Sequence, residues 1–220
     1  MNAPPGRVVS VNVGGLRQVS WRGRSVPTGI FKHPVPAPVP VRRLGLDGDI
    51  QADPTVHGGV EKAVYAYPIE HYEWWRRELP ELTFEPATFG ENLTVSGLPF
   101  ENEIHSGDRL RVGTAELVVT GPRLPCFKLG LRMERPDMVK RFLASHRTGY
   151  YFSVALEGEV QAGDDIVLVE RLEGSVPVWE IVRLYAFDPE DTEAVRRLVR
   201  APGVPEHWRT WFAERAATSR

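Results

Sequence analysis

The fold class predicted for this 220-residue chain is mainly β with added α: a β-barrel followed by a small C-terminal bundle of three helices. Three observations carry that prediction. The 20 glycines and 19 prolines ask for many turns and short strands. Short runs of alternating apolar residues recur, two of them directly after a Gly-Asp pair (Gly107-Asp108 and Gly163-Asp164), which is the grammar of a meandering antiparallel barrel. After about residue 174 the apolar spacing changes from two to three and four, the period of amphipathic helices.

Taken in order, Val9, Val11 and Val13 alternate with polar residues and predict a half-buried strand. Leu16–Trp21 reads as a second extended segment beyond the Gly14-Gly15 turn. Prolines at 34, 36, 38 and 40 forbid helix and predict an extended edge. Val39–Leu44 follows as a strand, with a loop over Gly45–Asp49. Lys62–Tyr67 alternates again, and Pro68 suits the first position of a helix over 68–79, whose stripe is Ile69, Tyr72, Trp75 and Leu79. Asn92–Val95, Arg109–Val112, Ala115–Thr120, Tyr151–Leu156 and Ile166–Val169 complete the strands, with a short helix over 136–146. The division expected is 1–174 for the barrel (core about 29–169) and 175–220 for the helices.

Lys+Arg number 27 and Asp+Glu 29, a net charge of -2, so bulk attraction to nucleic acid or to an anionic membrane is not expected. No run approaches ~18 apolar residues, and the N-terminus lacks a signal-peptide pattern, so a cytoplasmic protein is expected. The one cysteine, Cys126, excludes an intramolecular disulfide, a zinc ribbon and a protein-ligated iron–sulfur cluster. The six histidines fall in no metal-ligand spacing, and P-loop, dinucleotide-binding and nucleophile-elbow motifs are absent.

Three segments could carry chemistry. In Gly121-Pro122-Arg123-Leu124-Pro125-Cys126-Phe127-Lys128, two prolines stiffen a loop whose thiol lies between Arg123 and Lys128; nearby cations favour the thiolate, which is both nucleophile and soft metal ligand. The plainer reading is a small buried hydrophobe. In Val56-His57-Gly58-Gly59-Val60-Glu61-Lys62, paired glycines admit backbone donors to an anion, with His57 and Lys62 beside them; a simple turn is the alternative. In Phe89-Gly90-Glu91-Asn92-Leu93, Asn92 offers donor and acceptor and Glu91 a proton, unless both merely cap local backbone.

Gly45–Asp49, Asp53, His57-Gly58-Gly59, Lys62–Tyr65, Tyr67-Pro68, Phe89–Leu93, Gly107-Asp108, Pro122-Arg123 and Pro125-Cys126 occur in that order. As a set they resemble the MOSC domain, the C-terminal domain of molybdenum cofactor sulfurases, and in particular its bacterial hydroxylaminopurine-resistance group, over about residues 7–215. The resemblance implies a barrel with a molybdenum cofactor (molybdopterin) in a pocket at one end and Cys126 as the molybdenum ligand. On that basis His57, Gly58, Gly59, Lys62, Gly90, Asn92, Arg123 and Lys128 would hold the cofactor, and Glu91 or Asp49 would deliver protons. Pyridoxal phosphate is not expected. The activity implied is reduction of N-hydroxylated bases such as 6-N-hydroxylaminopurine, with electrons from an external reductase; homo-oligomerisation is left open. Two alternatives stand: a sulfur carrier with a persulfide on Cys126, and a non-catalytic module that binds a base or pterin. Any positive potential is expected to be local to the pocket.

Overall fold

The computed structural model describes residues 5–52 and 58–218. In chain order the strands are β1 (Gly6–Val13), β2 (Arg17–Trp21), β3 (Arg24–Thr28), β4 (His33–Pro34), β5 (Val39–Arg42), β6 (Gly45–Leu46), β7 (Val64–Pro68), β8 (Leu93–Ser96), β9 (Arg109–Val112), β10 (Ala115–Pro122), β11 (Tyr150–Leu156), β12 (Gly158–Val160) and β13 (Asp165–Glu170). The helices are α1 (Ile69–Glu78), α2 (Phe127–Arg132), α3 (Met138–Ala144), α4 (Val178–Ala186), α5 (Thr192–Arg200) and α6 (Glu206–Thr218).

Seven strands close a barrel in the order β13-β9-β10-β11-β7-β8-β1, and β1 returns to β13 through Gly6↔Ile166 and Arg7↔Asp165. All neighbours are antiparallel except β7 and β8, which run parallel because α1 crosses between them. Closure leaves no open edge in the ring. Inward positions are small or branched, with Val8, Val11, Val64, Leu110, Leu117 and Phe152 all nearly inaccessible. A second core lies under α1 and α3, where Tyr67, Tyr72, Trp75, Phe89 and Phe142 pack ring against ring. The C-terminal helices bury a third cluster that includes Ile181, Leu198, Trp208 and Phe212. Trp208 ties them to the barrel: a Cβ on Gly121 would lie 2.7 Å from its Nε1, so only glycine fits there. No helix among the described residues is long and apolar enough to cross a membrane.

Several local expectations are revised. Lys62 ends a 3-10 turn (Val60–Lys62), and the strand begins only at Val64, because Gly59 enters at φ +87 and winds the chain. The Cys126 segment runs into helix α2, too short and glycine-interrupted to show a period in sequence. Arg24–Thr28 completes a hairpin with β2, in register Trp21↔Arg24 and Arg17↔Thr28.

That hairpin turns through Arg22 (φ 49) and Gly23 (φ 76), the left-handed pair that suits Asn-Gly. Arginine pays for its Cβ there. Arg22→Asn is therefore expected to raise stability by about 0.5–1 kcal/mol, seen as a melting temperature higher by about 2 °C.

Candidate active site

The end of β10 and the loop after it deliver Arg123, Leu124 and Cys126 to a pocket also lined by Lys32, Asp49, Lys62, Tyr65, Gly90, Asn92, Lys128 and Tyr151. Cys126 is half-buried at the entry to α2. Arg123 is buried, at 6% exposure, with its guanidinium carbon 5.2 Å from the ring centres of both Tyr65 and Phe142. Its Nη1 is buried with no hydrogen-bond partner among the described residues. A buried guanidinium with an unmet donor beside a pocket is poised for an acceptor from outside the chain. Burial would pull its pKa down, but Tyr65, Tyr151 and Cys126 outweigh that and the net shift is upward.

Lys32 supplies a cation that the sequence reading did not single out. Its side chain is 8% exposed and its Nζ bonds Asp49 Oδ1. Asp49 Oδ1 also accepts from the Gly14 N–H (2.9 Å), and Oδ2 accepts from Asn92 Nδ2 (2.8 Å). Asn92 Oδ1 in turn accepts from the Tyr65 N–H at 3.1 Å. Asp49 and Asn92 thus form a frame that holds one ammonium at the pocket wall. Asp49 reaches the pocket as expected, yet both its oxygens are engaged, so its part is to position Lys32.

Two expected groups are displaced. Glu91 does not line the pocket. It is inaccessible and points into the aromatic core, where it accepts from the Tyr72 hydroxyl, Thr94 Oγ1 (2.8 Å), the Ala87 N–H (2.9 Å) and the Phe89 N–H (3.1 Å). Burial pushes its pKa up against those donors, and it organises the 87–94 loop in place of delivering protons. Gly58 and Gly59 also stand off the lining. The Gly59 N–H donates to Gln51 Oε1 (2.8 Å), and a Cβ on Gly58 would lie 2.2 Å from that oxygen, so the pair makes room for Gln51. Gly90 does line the pocket; at φ +77 it passes against Ile30. His57 and Asp53 lie outside the described residues.

Among the described residues four cations, Lys32, Lys62, Arg123 and Lys128, therefore line the pocket with the Cys126 thiol and a single carboxylate, Asp49, which is already bonded to Lys32. Such a lining is chemically suited to a multiply charged anion. Burial lowers the Lys32 pKa against the opposing pull of Asp49 and Glu91, and lowers that of Lys62 against Glu61. An anion favours the protonated lysines. Affinity for inorganic pyrophosphate should therefore be highest below these lowered pKa values and fall as pH rises through them, beginning below the ordinary 10.5. Calorimetric titration across alkaline pH checks this.

Residues 53–167 match the family model of the MOSC domain. The chain belongs to the MOSC family. Within the range of relatives, the MOSC chain is 36% identical to YflK of Bacillus subtilis (strain 168) over 208 residues, 94% of this chain and 93% of that one. The crystal structure of YiiM from Geobacillus stearothermophilus matches with a TM-score of 0.80 at 33% identity, covering 96% of this chain and 100% of that one. A Gibberella moniliformis (strain M3125 / FGSC 7600) protein named Reductase is 32% identical over 203 residues, 91% of this chain but only 33% of its own length. The fold and the family expected from the sequence are thus both established.

Proposed function

We propose that this MOSC protein binds a molybdenum cofactor in the Cys126 pocket and reduces N-hydroxylated bases of the 6-N-hydroxylaminopurine type. The observation that carries the reading is the buried Arg123 Nη1, unpartnered among the described residues, in a pocket lined by four cations and the Cys126 thiol. That donor set fits a phosphate-bearing cofactor whose metal takes one sulfur from the protein. Arg123, Lys62 and Lys128 would hold the phosphate-bearing part, and Cys126 would ligate the metal. When bound, the cofactor supplies a two-electron centre able to accept an oxygen atom.

The chain's own residues do the rest. Lys32 carries a proton at the pocket wall, and Asp49 keeps that ammonium oriented. Tyr65 and Tyr151 stay neutral, because burial raises their pKa values, and they give the pocket flat, uncharged walls beside the cations. Reduction of R–NH–OH to R–NH₂ and water consumes two electrons and two protons. These 220 residues hold one cysteine and no second redox motif, so in this reading the electrons come from outside them. The matched Gibberella protein, named Reductase, carries two-thirds of its length outside the shared region, which agrees with a reductive reaction assisted by further machinery. In this reading residues 1–174 carry the pocket and 175–220 brace it, through Trp208 on Gly121 and Leu124 against the helical cluster.

The test is elemental analysis of protein from a molybdopterin-competent host, with hydroxylaminopurine reduction driven by dithionite-reduced methyl viologen. Stoichiometric molybdenum and formation of adenine are expected. Metal-free protein bearing a cyanide-labile persulfide on Cys126 would overturn the reading in favour of sulfur carriage.

A further inference from the structure

The net charge of -2 conceals an asymmetry. Residues 1–46 contain seven lysines and arginines and no acid; all 29 carboxylates lie from Asp47 onward. Three of the seven, Arg17, Arg22 and Arg24, stand exposed on the β2–β3 hairpin. Two more cations, Lys128 and Arg132, lie one turn apart on the neighbouring α2. None of Arg17, Arg22, Arg24 and Arg132 has an ion pair among the described residues. The positive potential therefore extends beyond the pocket, contrary to the expectation from bulk composition.

This basic surface is joined to the pocket. Thr28, Gly29 and Ile30 at the base of the hairpin line it. Trp21 stacks on Phe127, the residue after Cys126, with ring centres 5.1 Å apart and an interplanar angle of 23°. Arg17 and Arg132 each place a guanidinium 5.2 Å from the Phe31 ring. The other face of the hairpin carries Gln18, Ser20, Ser25 and Pro27, exposed and without a large apolar side chain. The face that carries Arg17 and Arg24 also carries Val19, Trp21 and Val26, but these are half-buried and Trp21 is taken up by Phe127. The hairpin thus exposes its charges without an exposed large apolar side chain between them, which suits a brief, electrostatically steered encounter better than a permanent interface. Arg22 also keeps a long cationic side chain at a φ where asparagine or glycine costs less.

The geometry points to the β2–β3 hairpin, with Lys128 and Arg132 of α2, as the docking face for an acidic electron-carrier protein. This rests on the reductive function proposed above, which needs an external donor. Two one-electron transfers from a reduced flavin carrier, with two protons from solvent, convert R–NH–OH to R–NH₂ and water, and the carrier leaves oxidised. The partner is a protein of opposite charge because the face sits beside the reaction pocket and carries its cations uncompensated. A polynucleotide is the competing anion and is tested alongside.

The probe is an acidic flavodoxin, titrated into the molybdenum-loaded chain and followed by FMN fluorescence, and used in parallel as the reductant in hydroxylaminopurine turnover. Arg22→Glu/Arg24→Glu should weaken binding and raise the KM for flavodoxin by about tenfold at low salt, with the kcat obtained from reduced methyl viologen unchanged. Arg22→Gly/Arg24→Thr, which relieves the backbone at residue 22, should show a smaller loss in the same direction. Binding that survives charge reversal, or no salt-sensitive binding by the wild type, overturns the docking face. Loss of affinity for a single-stranded DNA oligonucleotide with flavodoxin affinity intact overturns it in favour of nucleic acid. If binding responds as expected but viologen-driven turnover is absent in the wild type, the docking face stands and the proposed reaction falls.

Discussion

Cys126→Ala should give a folded protein that retains no molybdenum and has lost more than about 100-fold in hydroxylaminopurine reduction. The fold should survive because Cys126 is half-buried at a loop-to-helix junction, outside the three apolar clusters that hold the molecule together. Trading a thiol for a hydrogen at such a site leaves little cavity, costing at most about 1 kcal/mol. Near-ultraviolet circular dichroism should overlay that of the wild type. The functional loss should be large because the other lining side chains among the described residues are cations, phenols, amides, aliphatics, one hydroxyl and one committed carboxylate, none of which replaces a soft anionic ligand. Elemental analysis of the two proteins, prepared side by side, checks it. Full molybdenum in the alanine variant would remove Cys126 from the metal's coordination.

Asp49→Ala should be the most destabilising single change in the pocket wall, at about 3–5 kcal/mol by urea denaturation. Three donors lose their acceptor together: the Lys32 ammonium, the Gly14 N–H and Asn92 Nδ2. Of these the lysine matters most, because its side chain is only 8% exposed and an unpaired buried charge is costly. Burial already lowers its pKa, and Asp49 is the main opposing influence. Without Asp49 the amine should shed its proton more readily, weakening the pocket's hold on an anion. The double variant Lys32→Met/Asp49→Ala separates the effects. It removes both charges, so much of the stability should return while anion affinity stays low. A double variant no more stable than Asp49→Ala would show that Asp49 acts through Gly14 and Asn92.

Most of the barrel could be read from the chain because strands such as Ala115–Thr120 carry a two-residue alternation and because Gly-Asp turns precede two of them. Val9–Val13 is a strand as expected, but a register shift between Val8 and Ser10 turns Val9 outward and buries Ser10 and Asn12. The α2 helix and the Arg24–Thr28 strand could not, since six residues with an internal glycine show no period and Pro27 argues against a strand. At the site, Cys126, Arg123 and Lys128 share one segment and were accessible as a unit. Lys32 was not: its significance depends on Asp49, Asn92 and Gly14, which only the folded chain assembles. Glu91 and Asn92 are neighbours that a sequence reads alike, and the fold sends one into the aromatic core and the other to the pocket. The basic stretch before Asp47 was in plain view, but averaging charge over the full length concealed it.

The closure of β1 onto β13 joins the two ends of the β region and so comes late in the making of the chain. Arg7, Val8, Ser10 and Val11 can pair with β8 once Leu93–Ser96 has been synthesised, whereas Gly6 and Arg7 meet Ile166 and Asp165 only near the end of the β region, and the pocket wall itself needs Tyr151. On the ribosome the closed ring must therefore wait for almost the whole β region, and a barrel closed by so distant a pairing assembles late and slowly. Any ligand of the Cys126 pocket meets a finished wall only after Tyr151 has joined Gly121 and Tyr65 across the sheet, about two-thirds of the way along the chain.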